Sequence, residues 1–387
     1  MDQRGAWIAL ASVEGIGATT FGLLLAAFGE PPEVFRATLD GRLDRWLSEW
    51  RAAEGRPVMA RAALEELHKM AADPERAFDG IKRLGLWTLT PMDPDYPSGL
   101  RDLVNPPAVI FGSGNRDALE SARVVGVVGT RRPTLAGRAL ATRICARLVE
   151  CSATVISGVA VGIDGAAHAA TIERGGTTVG VIGGGHLHPG PLAHGRLRDE
   201  IVARGGALIS EYHPTTQPTR GTYPRRNRII AALSHAVLVI EAPRTSGALI
   251  TARHALELGR PVFVAPGRIG DWSTAGSLAL LRDSPARPIV GLDELVEDLG
   301  YFDPPAAIVA GGDGPRSGSR EPALAMLGPT EQIVARRLSQ GPAGLDLLVN
   351  DTGLGPGVVS SAVTLLLMRG WAQSVGPAYM TAGPLAE

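Results

Sequence analysis

The sequence predicts an α/β fold: a parallel β-sheet with helices on both faces, preceded by a small helical domain and followed by a winged-helix-like domain. Three observations predict it. Between Arg123 and Leu299, short apolar runs alternate with helical stretches, the pattern of a parallel sheet covered on both sides. Before residue 85, apolar residues recur at three- and four-residue spacing. After a linker rich in Gly, Pro, Ala and Ser come three short helical patterns and a hairpin pattern.

The composition limits the class of protein. The chain has 387 residues, of which 45% are hydrophobic, enough for a sizeable core in two or three domains. Lys and Arg number 38 against 39 Asp and Glu, so any nucleic-acid contact must come from a local patch. Two cysteines are too few for a disulfide framework, and no apolar run reaches the roughly 20 residues that span a bilayer. We therefore expect a cytoplasmic protein that is not in a membrane.

Residues 1–85 are predicted to form the helical domain. Within it, the segment Val13–Gly17 resembles the turn of a helix-hairpin-helix, in which glycine amides can face a phosphate. The alternative is a tight turn without a ligand, which is what a Gly-x-Gly between two helices usually forms.

Residues 86–300 are predicted to form the sheet core, whose ligands would lie beyond the carboxyl ends of the strands. The expected strands are Val124–Val128, Thr154–Ile156, Val179–Ile182, Ala207–Ser210, Ala236–Glu241 and Pro261–Ala265. The expected helices include Leu135–Glu150, Ile163–Glu173, Asn227–Leu233 and Ala248–Leu258.

Residues 301–322 are predicted to be a flexible linker, and residues 323–387 the winged-helix-like domain. The helix in the position of a recognition helix, Val358–Met368, carries no basic residue before Arg369. Because such helices normally present Arg, Lys, Asn or Gln to base edges, a protein contact or a vestigial role is an equally good explanation.

The segment between Glu211 and Glu241 is locally basic. It contains four arginines and no acidic residue, so it should attract phosphate groups. The arginines are Arg220, Arg225, Arg226 and Arg228. A solvated helix face is the alternative.

The loop after the first core strand, Gly129–Thr134, also predicts an anion site. Arg131 and Arg132 lie at its mouth, Thr134 can cap the next helix, and the amides of that helix N-terminus would be unpaired. The loop lacks Gly-x-Gly-x-x-Gly, which argues against NAD.

Three further loops contain residues of interest. Asp164 and His168, one helical turn apart, are consistent with an acid–base pair, although a structural role is commoner and no nucleophile is tied to them. His186, His188 and His194 resemble metal ligands but lack a fourth group, so a phosphate- or base-contacting loop is preferred over zinc. Ser246 can cap the helix that follows Gly247.

Taken together, these segments resemble one protein family. The ordered set VGTRRP, SGVAVGIDGAAH, SEYHP, YPRRNRII and APRTSGALITARHALELGRPVFVAPG is similar to the DprA/Smf family, the bacterial DNA-processing proteins of natural transformation. The resemblance covers most of Arg123–Leu299. It implies an extended Rossmann-like core, commonly with an N-terminal helical domain of the helix-hairpin-helix or SAM-like type and a C-terminal winged helix.

The resemblance implies a function without catalysis, metal or cofactor. The protein would bind and protect incoming single-stranded DNA and load a RecA-type recombinase onto it, as a homodimer. The DNA-binding positions are expected to be Arg131, Arg132, Ser157, Gly158, Arg225, Arg226, Asn227, Arg228, Ser246 and Gly247. Tyr212 and Tyr223 are the aromatic residues expected near the patch.

Two alternatives belong to other classes. A Rossmann-like phosphoribohydrolase acting on nucleotides would carry Pro-Gly-Gly-x-Gly-Thr with a downstream Glu, whereas this chain has Thr-Ser-Gly-Ala there. A sensor of free nucleotides would bind mononucleotides with little salt dependence, unlike a groove that follows a strand.

Overall fold

The structure is a computed structural model that describes residues 2–188, 192–301, 324, 327–341, 343–369, 371–375 and 378–381. The chain divides into two compact units, Met1–Pro305 and Ala306–Glu387. Apart from Tyr301, the predicted linker 301–322 lies outside the described residues.

The first unit contains a nine-stranded sheet. Its strands are β1 (Trp87–Leu89), β2 (Ile110–Gly114), β3 (Val124–Val128), β4 (Thr154–Ser157), β5 (Thr178–Val181), β6 (Ala207–Ser210), β7 (Ala236–Val239), β8 (Val262–Val264) and β9 (Arg287–Pro288). The spatial order is β1-β2-β6-β5-β4-β3-β7-β8-β9. Strands β3 to β9 are parallel, while β1 and β2 form an antiparallel edge. The predicted α/β class is confirmed, and all six predicted strands are present.

Helices cover both faces of this sheet. They are α7 (Ser98–Arg101), α8 (Leu135–Glu150), α9 (Ile163–Glu173), α10 (Leu192–Ala203), α11 (Thr222–Leu233), α12 (Ala248–Glu257), α13 (Ala275–Asp283) and α14 (Leu292–Asp298). Alternate residues of β3 enter two different cores: Val125 and Val127 lie in the core that contains α8, and Val124 and Val128 lie in the core on the other face. Burial on both faces explains why the strands are uninterrupted apolar runs.

Six helices precede the sheet: α1 (Gln3–Ala11), α2 (Ala18–Phe28), α3 (Pro31–Leu39), α4 (Arg42–Glu54), α5 (Arg61–Ala72) and α6 (Pro74–Arg83). They share a core with Phe111 of β2. The indole of Trp7 donates a hydrogen bond to the Ala108 carbonyl at 2.6 Å, and Arg4 pairs with Asp93 at 2.8 Å. The helices therefore pack on the antiparallel edge of the sheet, within the same compact unit.

The second unit contains α15 (Pro329–Leu338), α16 (Leu345–Thr352), α17 (Pro356–Met368) and the antiparallel hairpin β10 (Ala372–Val375) and β11 (Ala378–Thr381). Three helices followed by a hairpin confirm the predicted winged-helix-like domain. In the described parts of the chain, no helix combines the length and apolar character that a membrane crossing requires.

Candidate functional site

A cleft of about 590 Å³ opens where the strand order reverses. From β3 the chain proceeds to β4, β5 and β6 on one side, then returns to place β7 on the other side of β3. The loops after β3 and β7 diverge at this point, and they form the cleft together with the start of α11. Crevices at such switch points are the usual ligand sites of open α/β sheets.

The N-terminus of α8, which the sequence assigns to a bound anion, already has a carboxylate of the protein beside it. Thr134 caps α8, as predicted, by accepting from the Gly137 amide at 3.0 Å. The buried carboxylate of Glu241 accepts from the Thr134 amide at 3.2 Å and from its hydroxyl at 2.8 Å. The negative charge of Glu241 thus lies close to the helix end at which an external anion was expected. A side chain at Gly137 would collide with it, since an added Cβ would lie 2.1 Å from Glu241 Oε2.

Three exposed arginines line the cleft: Arg131, Arg132 and Arg220. Among the described residues, none of the three has an ion-pair partner, so their charges are available to a ligand. The Arg131 guanidinium lies 5.3 Å from the ring centroid of Tyr223, a cation–π distance. This contact holds the charge above the start of α11.

The arginines of Tyr223–Arg228 do not form one positive surface, contrary to the sequence interpretation. Helix α11 begins at Thr222 rather than at Asn227, so these residues are distributed around a helix. Arg226 points inward and is 3% exposed. Arg225 and Arg228 line a second cleft, and Arg228 forms an ion pair there with Glu211. Of the arginines in this segment, the buried Arg226 alone lines the switch-point cleft, together with the polar side chain of Asn227.

Arg226 forms the floor of this cleft. Its Nη1 donates to the Val181 carbonyl at 2.8 Å, and its Nε has no partner among the described residues. Burial lowers its pKa to about 10, while the nearby charge of Asp164 opposes that shift. Gly158 lies against both groups: an added Cβ there would be 2.0 Å from Arg226 Nη1 and 2.7 Å from Asp164 Oδ2. A glycine is therefore required between the β4 loop and the arginine.

The serine and glycine positions have different surroundings. Ser157 is fully buried and its hydroxyl donates to the Val127 carbonyl at 2.6 Å, so it joins β4 to β3 and does not reach the cleft. Ser246 and Gly247 do line the cleft. The N-cap of α12 is Gly247 and not the predicted Ser246, whose Oγ accepts from the Ala248 amide at 3.3 Å. Asn227 Nδ2 donates to the Gly247 carbonyl at 3.1 Å. The bond from Asn227 connects the β7 loop to α11.

Asp164 and His168 do not form an acid–base pair. His168 is fully buried and its Nδ1 lies 2.7 Å from the hydroxyl of Thr178. Burial lowers its pKa to about 3, so the ring stays neutral. Burial also raises the pKa of Asp164, an effect that the positive charge of Arg226 opposes. The histidine has the structural role that the sequence made the commoner alternative.

The histidine-rich loop is held by backbone contacts. His186 Nε2 lies 3.0 Å from the Phe111 carbonyl, and His188 Nε2 lies 2.6 Å from the Thr215 carbonyl. The side chain of His194 lies outside the described residues, and the described residues contain no cluster of three potential metal ligands. The same loop supplies Gly183 and Gly184 to a small pocket that adjoins the switch-point cleft at Arg131.

The helix-hairpin-helix-like turn lies in the second cleft, beside Arg225 and Arg228. Gly15 has a φ of +89°, and an added Cβ would lie 2.8 Å from Ala63 Cβ, so tight packing of the turn already requires a glycine. Three carboxylates line this cleft as well: Asp102, Glu211 and Glu257. Because they offset the arginines, the geometry favours a plain turn over a phosphate site.

Two residues at the site were not found from the sequence. Arg198, on α10, lines the pocket next to Arg131 and donates to the His188 carbonyl at 2.7 Å. Trp272 lines the switch-point cleft and is 69% exposed. Neither position belongs to a motif that by itself predicts a ligand contact, and the tryptophan lies far along the chain from the arginines. Of the two predicted aromatic residues, Tyr223 lines the switch-point cleft, whereas Tyr212 lines the second cleft, beside Arg225.

Comparison with known proteins gives two family matches. Residues 87–300 match the family described as DNA recombination-mediator protein A, and residues 318–376 match the DprA winged helix domain. The chain is 36% identical to DNA processing protein DprA of Bacillus subtilis over 62% of this chain and 81% of that one. It is also 36% identical to Protein Smf of Synechocystis over 73% of this chain and 76% of that one.

Solved structures show the same similarity. DNA processing protein A of Streptococcus pneumoniae has a TM-score of 0.55 at 34% identity, covering 61% of this chain and 81% of the other. DNA processing protein A of Helicobacter pylori has a TM-score of 0.51 at 26% identity, covering 55% and 95% respectively, and its structure is described in terms of a single-stranded DNA binding mode.

Proposed function

The chain belongs to the DprA/Smf family, and from that premise we propose that it binds single-stranded DNA in the switch-point cleft, without catalysis. The observation that carries the proposal is the group of three exposed arginines, Arg131, Arg132 and Arg220, none of which is ion-paired among the described residues. Guanidinium groups in this state bind phosphate oxygens bidentately and release counterions from the strand.

The other expected binding residues have roles that differ by burial. Arg226, Ser157 and Gly158 would position the floor of the cleft rather than contact the strand. Asn227, Ser246 and Gly247 would shape its wall, in which Asn227 of α11 is bonded to the Gly247 carbonyl of the β7 loop. Arg225 and Arg228 lie in the other cleft, where the pairing of Arg228 with Glu211 leaves Arg225 as the more available charge.

A binding role is preferred over a nucleotide hydrolase. Asp164, the carboxylate in the cleft lining, is 8% exposed and lies against Gly158, so it is poorly placed to activate water. The wider role, in which a cytoplasmic homodimer protects incoming strands and loads a RecA-type recombinase during transformation, rests on the family resemblance. Light scattering of the purified protein and a recombinase filament assay would test its two parts.

The binding proposal is tested by titrating a labelled single strand and a duplex of equal length at several salt concentrations. We expect a preference for the single strand and a steep fall of affinity with salt. Arg131→Ala should weaken binding to all strand sequences and lower the slope of log K against log salt by about 0.7, the value for one lost phosphate contact on a single strand.

Arg174→Ala is the matched control, because Arg174 is also exposed but lies at the opposite edge of the sheet, after α9. Equal slopes for the wild type and Arg131→Ala would remove Arg131 from the interface. Competition by a mononucleotide, with little salt dependence, would favour an enzyme or a nucleotide sensor instead.

A further inference from the structure

Trp272 is an exposed aromatic residue at the edge of the arginine-lined cleft. It begins a short 3₁₀ turn, Trp272–Thr274, in the loop between β8 and α13. Its side chain is 69% exposed, and among the described residues its indole N–H has no hydrogen-bond partner. A single exposed apolar residue is common on protein surfaces and needs no explanation by itself. This one differs because Arg131 and Tyr223 line the same cleft.

The loop that carries Trp272 is anchored at both ends. Gly267 is packed so closely that an added Cβ would lie 2.0 Å from Thr274 Cβ. The hydroxyl of Thr274 donates toward the Arg268 carbonyl at 3.3 Å. The indole therefore projects from a loop with internal contacts, and ordering it against a ligand costs less entropy than ordering an unconstrained loop.

The start of α13 fixes the far end of this loop to the β7 edge of the cleft. The Gly276 amide donates to the Ala242 carbonyl at 2.9 Å, and the Ala242 amide donates to Ser277 Oγ at 3.1 Å. Ala242 lies in the same loop, after β7, that contributes Ser246 and Gly247 to the cleft. The tryptophan and the β7 loop thus form one wall.

Tyr223 is less suited to stacking than Trp272. One face of the Tyr223 ring is already covered by the Arg131 guanidinium, which lies 5.3 Å from the ring centroid. Within the described residues, Trp272 has no ring or cation contact, so its aromatic face is available. An indole face beside unpaired guanidiniums matches a nucleobase joined to phosphates, and it accepts any base because each base has a π-face.

We propose that Trp272 is a stacking platform for one base of the bound strand, while the arginines of the cleft hold the neighbouring phosphates. The inference rests on the proposed function and adds to it the residue that contacts a base. It also separates two contributions to affinity: the arginines supply the salt-dependent part, and Trp272 supplies a part that releases no counterions.

The test compares the wild type with Trp272→Ala and Trp272→Phe in binding to a single strand at several salt concentrations. Stacking on an aromatic side chain contributes about 1–3 kcal/mol per base, so Trp272→Ala should bind about 5- to 140-fold more weakly. Its salt slope should equal that of the wild type, unlike the slope of Arg131→Ala. Trp272→Phe should recover part of the affinity.

A strand of equal length whose residues are abasic gives the second readout. The wild type should lose more affinity than Trp272→Ala when the bases are removed, because the variant no longer has the stacking contact. Intrinsic fluorescence gives a third: strand binding should quench the wild type more than Trp272→Phe, which keeps the other five of the chain's six tryptophans.

The outcomes separate the two proposals. If the wild type does not bind the strand, the proposed function fails. If it binds and Trp272→Ala binds equally well, or both lose the same factor on the abasic strand, only the stacking proposal fails. Quenching by a mononucleotide to the same extent and without salt dependence would assign the indole to a free nucleotide and overturn its role on a strand.

Discussion

The buried histidine of α9 makes the stability of this protein depend on pH in a defined direction. The hydroxyl of Thr178 has one proton, which it donates to the Val155 carbonyl at 2.8 Å. It must therefore accept from His168 Nδ1, which assigns the Nδ1–H tautomer. Nε2 of His168 is buried without a partner among the described residues. Protonation would place a charge at that buried atom, and this explains the fall of the pKa to about 3.

The magnitude follows from proton linkage. In the unfolded chain the imidazole titrates near 6.5, and in the folded protein near 3. Between these values the unfolded state binds one more proton, so the stability is complete above pH 6.5 and is lost as the pH falls. At about 1.4 kcal/mol per pH unit, acidification from pH 8 to pH 5 should cost about 2 kcal/mol from this residue.

The assay is urea unfolding, followed by circular dichroism between pH 8 and pH 5, for the wild type and His168→Asn. Asparagine keeps a donor for Thr178 but does not titrate. Other histidines with lowered pKa values add to the slope in both proteins: His186, His213 and His235. The difference between the two slopes therefore isolates His168. Parallel pH profiles would refute the assignment, and loss of strand binding in His168→Asn would revive a functional role for the pair with Asp164.

Two further predictions concern the cleft residues. Gly158→Ala should lower the free energy of unfolding by about 1–3 kcal/mol and weaken strand binding, because the added Cβ would displace Arg226. Gly22→Ala is the control, since an added Cβ there meets open space. Equal strand binding by the wild type and Gly158→Ala would mean that the buried guanidinium has no part in the site. Arg228→Ala should destabilise the fold by about 3–5 kcal/mol, because the mostly buried carboxylate of Glu211 would lose its ion-pair partner. The salt slope of strand binding should not change. A slope reduced by about 0.7 would mean that Arg228 contacts a phosphate of the strand.

The core of the sheet was accessible from the sequence because its signals are local. Strands β3 and β6 and helices α8 and α9 have the predicted limits, since apolar runs and helical periodicity alternate without ambiguity there. The antiparallel edge strands β1 and β2 were not predicted. β1 has only three residues, and the pairing of β2 with β6 joins residues that are far apart in the chain.

The candidate site was predicted only in part. The loop with Arg131 and the Ser246–Gly247 turn follow directly from strands, so the topology of a parallel sheet brings them together. The basic run of α11 was misjudged because a count of arginines does not reveal which way each one faces. An error in the helix start, at Asn227 instead of Thr222, concealed the helical distribution of these side chains.

By itself, the sequence determined the α/β class, the order of the loops and the family resemblance, because these depend on residues that are neighbours in the chain. Only the tertiary structure decided which charges are available. It buries Arg226, pairs Arg228 with Glu211, places Glu241 beside the α8 N-terminus and brings Trp272 to the cleft. Each of these outcomes depends on contacts between distant segments, where burial and charge pairing act through space and leave no pattern along the chain.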